Sequence, residues 1–310
     1  METTSLLSDV ELQYKPPACI RLFLHILIEV ITEGTEKCIK ISMVVENFRT
    51  LFYWLMLGVM GLGMFLTKTF SETTDIIKDV FGASNVCVYF DIAPSTYVLP
   101  FFWLFPMLFA ITYDIISMFR IWVSYREEKI SLASKNLLFF AHIYFMLTVM
   151  LFGTIFAVSP DRKDPTTMIL HSVPYLNLKF GMCILQVAVV WFGTKVAWKD
   201  FKLSKFLVAF NWLHVGLQIL TMVISSILAI NAIGDMGTGN LKGKGIWWSV
   251  HNNPQLNTLA DIFVNYLSFL LNMVVPLLQS QYFSYKGFKN ISNTHAVVIS
   301  IADNRKSGIE

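Results

Sequence analysis

The stretch SKFLVAFNWLHVGLQILTMVISSILAIN, residues 204–231, decides the class of this chain. It carries one formal charge, Lys205, and is otherwise apolar or neutral. Apolar runs of about 18 residues or more read as helices that cross a bilayer. Within it the polar residues Asn211, His214, Gln218, Thr221 and Ser225 recur at spacings of 3, 4, 3 and 4. That rhythm places them on one helix face. Hydrocarbon offers no hydrogen-bond partner, so the face is expected to look onto protein or a wet cavity.

Working outward, residues 258–281 repeat the pattern with Asp261, Asn265, Ser268 and Asn272 at spacings of 4, 3 and 4. Four further apolar spans lie at 50–67, 97–119, 136–158 and 169–194. The expected fold is therefore an all-α, polytopic membrane bundle of six transmembrane helices. The chain of 310 residues is 55% hydrophobic and 15% charged. Soluble chains carry about 25% charged residues, and little length remains here for a soluble domain. The organisation reads as a cytosolic N-terminal segment, 1–49, a bundle over 50–281, and a cytosolic tail, 282–310.

Residues 19–32, CIRLFLHILIEVIT, are too short for a comfortable span. Arg21, His25 and Glu29 fall at i, i+4 and i+8, which predicts an amphipathic helix lying on the inner leaflet. Were it to insert, there would be seven spans and an outer N-terminus. Residues 1–18 are polar and lack a short apolar core before a small-residue cleavage site, so no cleavable signal peptide is expected.

Lysine and arginine set the orientation. With the N-terminus in the cytosol, the inner segments hold 17 of the 24 basic residues and the outer loops 6; Lys179 lies within a span. Both termini are therefore expected in the cytosol. The basic residues are dispersed and the net charge is only +3, so nucleic acid is not an expected partner. The expected partners are the lipid bilayer and a small polar solute or ion, and association into a homo-oligomer is compatible with the sequence.

Lys179 sits in the outer half of the fourth span, where an ammonium is costly unless paired or hydrated. His171, Tyr175, Lys179, Cys183 and Gln186 share a face, and Asp261 approaches from the same side on the sixth span. A Lys179–Asp261 pair is one expectation; a lysine that snorkels to the headgroups is the other. A substrate path is read along Lys179, Gln186, Asn211, His214, Gln218, Asp261, Asn265, Ser268 and Asn272. A dry seam of interhelical hydrogen bonds competes with it, since such bonds are common in bundles at about 0.6 kcal/mol each. Asp114, His142 and His171 could form a proton relay, although pairing of Asp114 with a cytosolic-side arginine is the favoured account. Pro276, in the sixth span, can free backbone carbonyls.

Several classes are excluded or disfavoured. Cys19, Cys38, Cys87 and Cys183 have neither CxxC nor zinc spacing, and no metal site is expected. No HExxH helix or GxSxG elbow occurs, so the chain is not expected to be an enzyme. Tyr113–Asp114 matches half of the intramembrane aspartyl protease signature, but Ala232–Asp235 does not supply the other half. No cofactor is expected; His142 and His214 satisfy the spacing of a haem pair only loosely, which leaves a transmembrane electron carrier as a remote alternative. Glu2, Leu6 and Leu7 fit an acidic dileucine sorting signal, which would address the protein to the plasma membrane or the endosome–lysosome membrane. The leading expectation is a transporter or channel, and the alternative is a non-transporting accessory or receptor-like protein acting through loops and tails.

Overall fold

The computed structural model describes residues 12–14, 26–33, 36–70, 89–159, 165–199, 203–237, 255, 259, 262–289 and 296–302. Three strands come first: β1 (Leu12–Tyr14), β2 (Ile26–Glu33) and β3 (Glu36–Val44). Five long helices follow: α1 (Glu46–Phe70), α2 (Ser95–Arg126), α3 (Leu132–Phe152), α4 (Pro165–Phe192) and α5 (Lys205–Gly237). Two π-helical turns, Ile262–Leu267 and Leu270–Val274, lead into α6 (Val275–Lys289), and β4 (Ala296–Ala302) comes last.

All five long helices, α1 to α5, are long and apolar enough to cross a membrane. Their outward faces are what a bilayer covers. On α2, Phe101, Phe105, Leu108, Ile115 and Phe119 form an exposed stripe, each at least half accessible. Soluble proteins rarely expose so continuous an apolar surface. The helices pack in chain order and α6 closes the ring on α1. Aromatic contacts fill the middle: Phe52 meets Phe145 edge-on at 5.7 Å, and Trp103 packs on Phe152 at 4.5 Å. Trp198 stacks on Phe283 at 4.1 Å, tying the chain beyond α4 to α6.

The N-terminal segment corrects the sequence reading. Where an amphipathic helix was expected over 19–32, Ile26–Glu33 forms a strand, and residues 19–25 lie outside the described residues. The fold is thus a helical bundle with a four-stranded antiparallel sheet of order β1-β2-β3-β4. The register sets Ile28 opposite Ile41 and Glu29 opposite Lys40, and β4 adds Ile299 opposite Ile41. The physical reason is the density of β-branched residues, Ile26, Ile28, Val30, Ile31 and Thr32, which suits a pleated pair better than a helix face. Because β3 runs into α1 and β4 follows α6, the chain leaves and returns at the same end of the bundle.

Close helix approach makes Gly181 demanding. A Cβ on Gly181 would run into Thr148 Oγ1, whereas one on Gly58 meets nothing within 4 Å. Gly181→Ala is expected to destabilise the bundle by about 1–3 kcal/mol through overpacking. Gly58→Ala should be neutral or gain up to about 1 kcal/mol from helix propensity. Thermal unfolding in detergent, followed by helical circular dichroism, checks the pair.

Candidate functional site

Gln279 on α6 lies where four helices meet. Its Oε1 accepts from Arg49 Nη1 at 2.9 Å and from Gln186 Nε2 at 2.8 Å, and its Nε2 donates to Asn211 Oδ1 at 2.5 Å. These partners come from α1, α4 and α5. Arg49 is only 1% exposed and also holds Glu46, with Nε and Nη2 each 2.7 Å from Oε2. Thr50 Oγ1 donates to Ser280 Oγ at 3.0 Å, and Ser284 donates to Asn47, so α1 and α6 are pinned antiparallel.

The column continues along α5. His214 Nε2 lies 2.7 Å from the Leu271 carbonyl oxygen. That carbonyl is available for a local reason. In the π turn Leu270–Val274, bonds run from residue i+5 back to i, so Leu271 would accept from residue 276. Residue 276 is proline and has no N–H to give. One turn on, Gln218 Nε2 donates to Asn272 Oδ1 at 2.7 Å, and Asn272 Nδ2 donates to Ser268 Oγ at 3.0 Å. His214 Nδ1, Gln218 Oε1 and Ser225 Oγ are buried and have no hydrogen-bond partner among the described residues.

A cavity of about 670 Å³ adjoins this column. Its walls come from α1, α4 and the Tyr266–Met273 stretch, with Phe90, Trp103 and Phe152 behind; among the described residues, α5 gives it no lining residue. Most of the wall is apolar. Its polar side chains include Lys179, Ser268 and Asn272. Lys179 is buried, with Nζ 5.1 Å from the centre of the Tyr175 ring. The cavity forms because the two ends of the last segment pack differently: Val275–Lys289 lies along α1, while Ile262–Leu267 lies against α5.

Asp114 and His142 form a second polar site, between α2 and α3. His142 Nδ1 lies 2.6 Å from Asp114 Oδ1, and both side chains are buried. The expected arginine partner of Asp114 is thus replaced by a histidine; Arg120 instead lies over the Phe192 ring at 5.7 Å. His171 does not join them. Its Nδ1 is 2.9 Å from the Val158 carbonyl oxygen and its Nε2 3.5 Å from Asp91.

Of the path residues read from the sequence, Lys179, Ser268 and Asn272 line the cavity. Gln186, Asn211, His214 and Gln218 sit in the hydrogen-bonded column. Asp261 lies outside the described residues, as does the side chain of Asn265, and so do Glu2, Leu6 and Leu7. Sequence reasoning missed Arg49 and Gln279. Gln279 had a signal: it falls seven residues after Asn272 and continues the same helix face. Among the described residues, no three His, Cys, Asp or Glu gather to hold a metal ion. The fold and these sites define a helical, multi-pass membrane protein. No family of known proteins, no curated protein and no solved structure matches the chain.

Removing Gln279 strands three buried groups, each costing about 1–3 kcal/mol. Gln279→Leu is therefore expected to be strongly destabilised, and Gln279→Glu, which keeps the acceptor for Arg49, less so; denaturant unfolding in detergent ranks them. Breaking the Asp114–His142 pair from one side should cost about 3–5 kcal/mol, and replacing both partners by leucine much less than the sum of the two singles. A double-mutant cycle measures that coupling, and strict additivity would show that the two groups do not depend on each other.

Proposed function

We propose that this protein is a carrier or channel that moves a small polar solute or ion across a membrane through the cavity and the polar column joined to it. The observation that carries this reading is the shared boundary at Asn272, which lines the cavity and accepts from Gln218 in the column. From there polar groups continue through His214, Asn211 and Gln279 to Arg49 and Glu46. The buried His214 Nδ1 and Gln218 Oε1 call for water or solute as partners.

The excess of Lys and Arg on alternate connections supports a cytosolic Glu46 end. The return of β4 to β3 supports an even number of crossings, with residues 262–289 as the sixth. In that orientation the cavity occupies the outer half and Gln279 with Arg49 closes the cytosolic half. Transport would require those bonds to exchange partners, as in gated bundles. A cytosolic N-terminus would also present Glu2, Leu6 and Leu7 for sorting to the plasma membrane or the endosome–lysosome membrane.

The competing function is a non-transporting accessory or receptor-like protein whose polar stripes only bind helices together. The mutual satisfaction of Gln186, Asn211 and Gln279 favours it. Cysteine accessibility separates the two. With transport, Asn272→Cys reacts with a membrane-impermeant thiol reagent applied from outside, and Leu277→Cys does not. Ion currents and uptake of labelled polar solutes in proteoliposomes are expected to fall about tenfold or more in Lys179→Met and His214→Phe, equivalent to at least about 1.4 kcal/mol. Unaltered flux in both variants, or complete protection of position 272, would end the transport reading.

A further inference from the structure

The cavity has its mouth in an unusual place. Gly61 and Met64 on α1, and Tyr266 and Phe269 opposite them, are both lining residues and exposed ones. Tyr266 is 69% accessible. The deeper lining residues Val59, Trp103, Phe152, Met182 and Met273 are buried. At 1.5 Å per residue, Gly61 lies about 13 Å below the Phe70 end of α1. On an α1 that crosses the bilayer this depth lies among the acyl chains, so the side opening can admit a molecule dissolved in the membrane in addition to a solute that enters from the outer side.

We propose that this cavity binds a single-chain anionic amphiphile that enters sideways from the membrane between α1 and the Tyr266–Met273 stretch. The apolar wall takes the chain. The head, a carboxylate or a phosphate, meets the ammonium of Lys179 and the hydrogen-bonding groups of Ser268 and Asn272. A volume of about 670 Å³ falls in the range of small-ligand sites, about 300–1,000 Å³. The chemistry is complementary in both parts: a buried cation for the head, and methionine and aromatic surfaces that adapt to a flexible chain. Binding there does not require flux, so this site and the transport function can fail separately.

The glycines supply a steric plug with its own control. Neither Gly58 nor Gly61 has an atom within 4 Å of a built Cβ, yet only Gly61 lines the cavity. The test uses the full chain in nanodiscs and a photoreactive oleate, with unlabelled oleate, lysophosphatidate, oleyl alcohol and butyrate as competitors. Saturable labelling of α1 or residues 262–274 is expected. Gly61→Phe should lower it about tenfold or more and Gly58→Phe should leave it unchanged. Lys179→Met should weaken oleate competition about tenfold and spare oleyl alcohol. Better competition by oleate assigns a carboxylate head, and better competition by lysophosphatidate a phosphate head; either supports the site, whereas butyrate should not compete. Equal labelling in Gly61→Phe and the parent protein overturns the proposal. So does competition by oleyl alcohol as strong as that by oleate, or labelling spread evenly over all lipid-facing helices. Labelling without flux of any solute would retain this site and remove the transport function; flux without labelling would do the reverse.

Discussion

A bilayer interior has no water to spare for a buried amide, and that scarcity governs how this bundle is assembled. Gln279 meets it by engaging Arg49, Gln186 and Asn211 at once, so that α1, α4, α5 and α6 converge on one side chain. Each bond alone contributes modestly in a membrane. Their value lies in what a missing member would strand, because a buried guanidinium or amide without a partner is far costlier than the bond is favourable. Arg49 is the extreme case: it has almost no exposure and depends on Glu46 and Gln279 for nearly all its hydrogen bonding.

The same economy shapes the last segment. Pro276 removes a donor, the π turn before it shifts the acceptor to Leu271, and His214 of the neighbouring helix takes up the freed carbonyl. A defect in one helix thereby becomes a cross-link to another. The segment's first part follows α5 and its second part follows α1, and the cavity opens where they diverge. The cavity and the polar column are thus two results of one irregular helix.

Much of the bundle could be read directly. Spans such as 204–231 announce themselves by length and apolarity, and the 3-4 spacing of Asn211, His214 and Gln218 correctly implied a buried face. Which partners that face meets was not legible, because partners are set by helix packing across distant parts of the chain. Asp114 illustrates this: its neighbour in sequence is Arg120, but its neighbour in space is His142 on the next helix. Arg49 stands in the sequence only as one basic residue at the border of a span, yet it is among the most buried side chains. The strand β2 was missed for a geometric reason. A spacing of four is close to one helical turn but also an even number, so Arg21, His25 and Glu29 would share a face in either conformation. The β-branched run Ile26, Ile28, Val30, Ile31 and Thr32, followed by Gly34, was the better guide.

The pairing of β3 with β4 has a consequence for how the chain is made. The hairpin of β2 and β3 is local and can close early, but the far edge of β3 has to wait for a strand translated after every membrane helix. At about 5–20 residues per second, that delay is on the order of ten to fifty seconds. An unsatisfied strand edge invites strangers for as long as it stays open. This edge of β3 therefore stays open until the C-terminal strand arrives, and a chain cut short before β4 would have all its helices and an unfinished sheet.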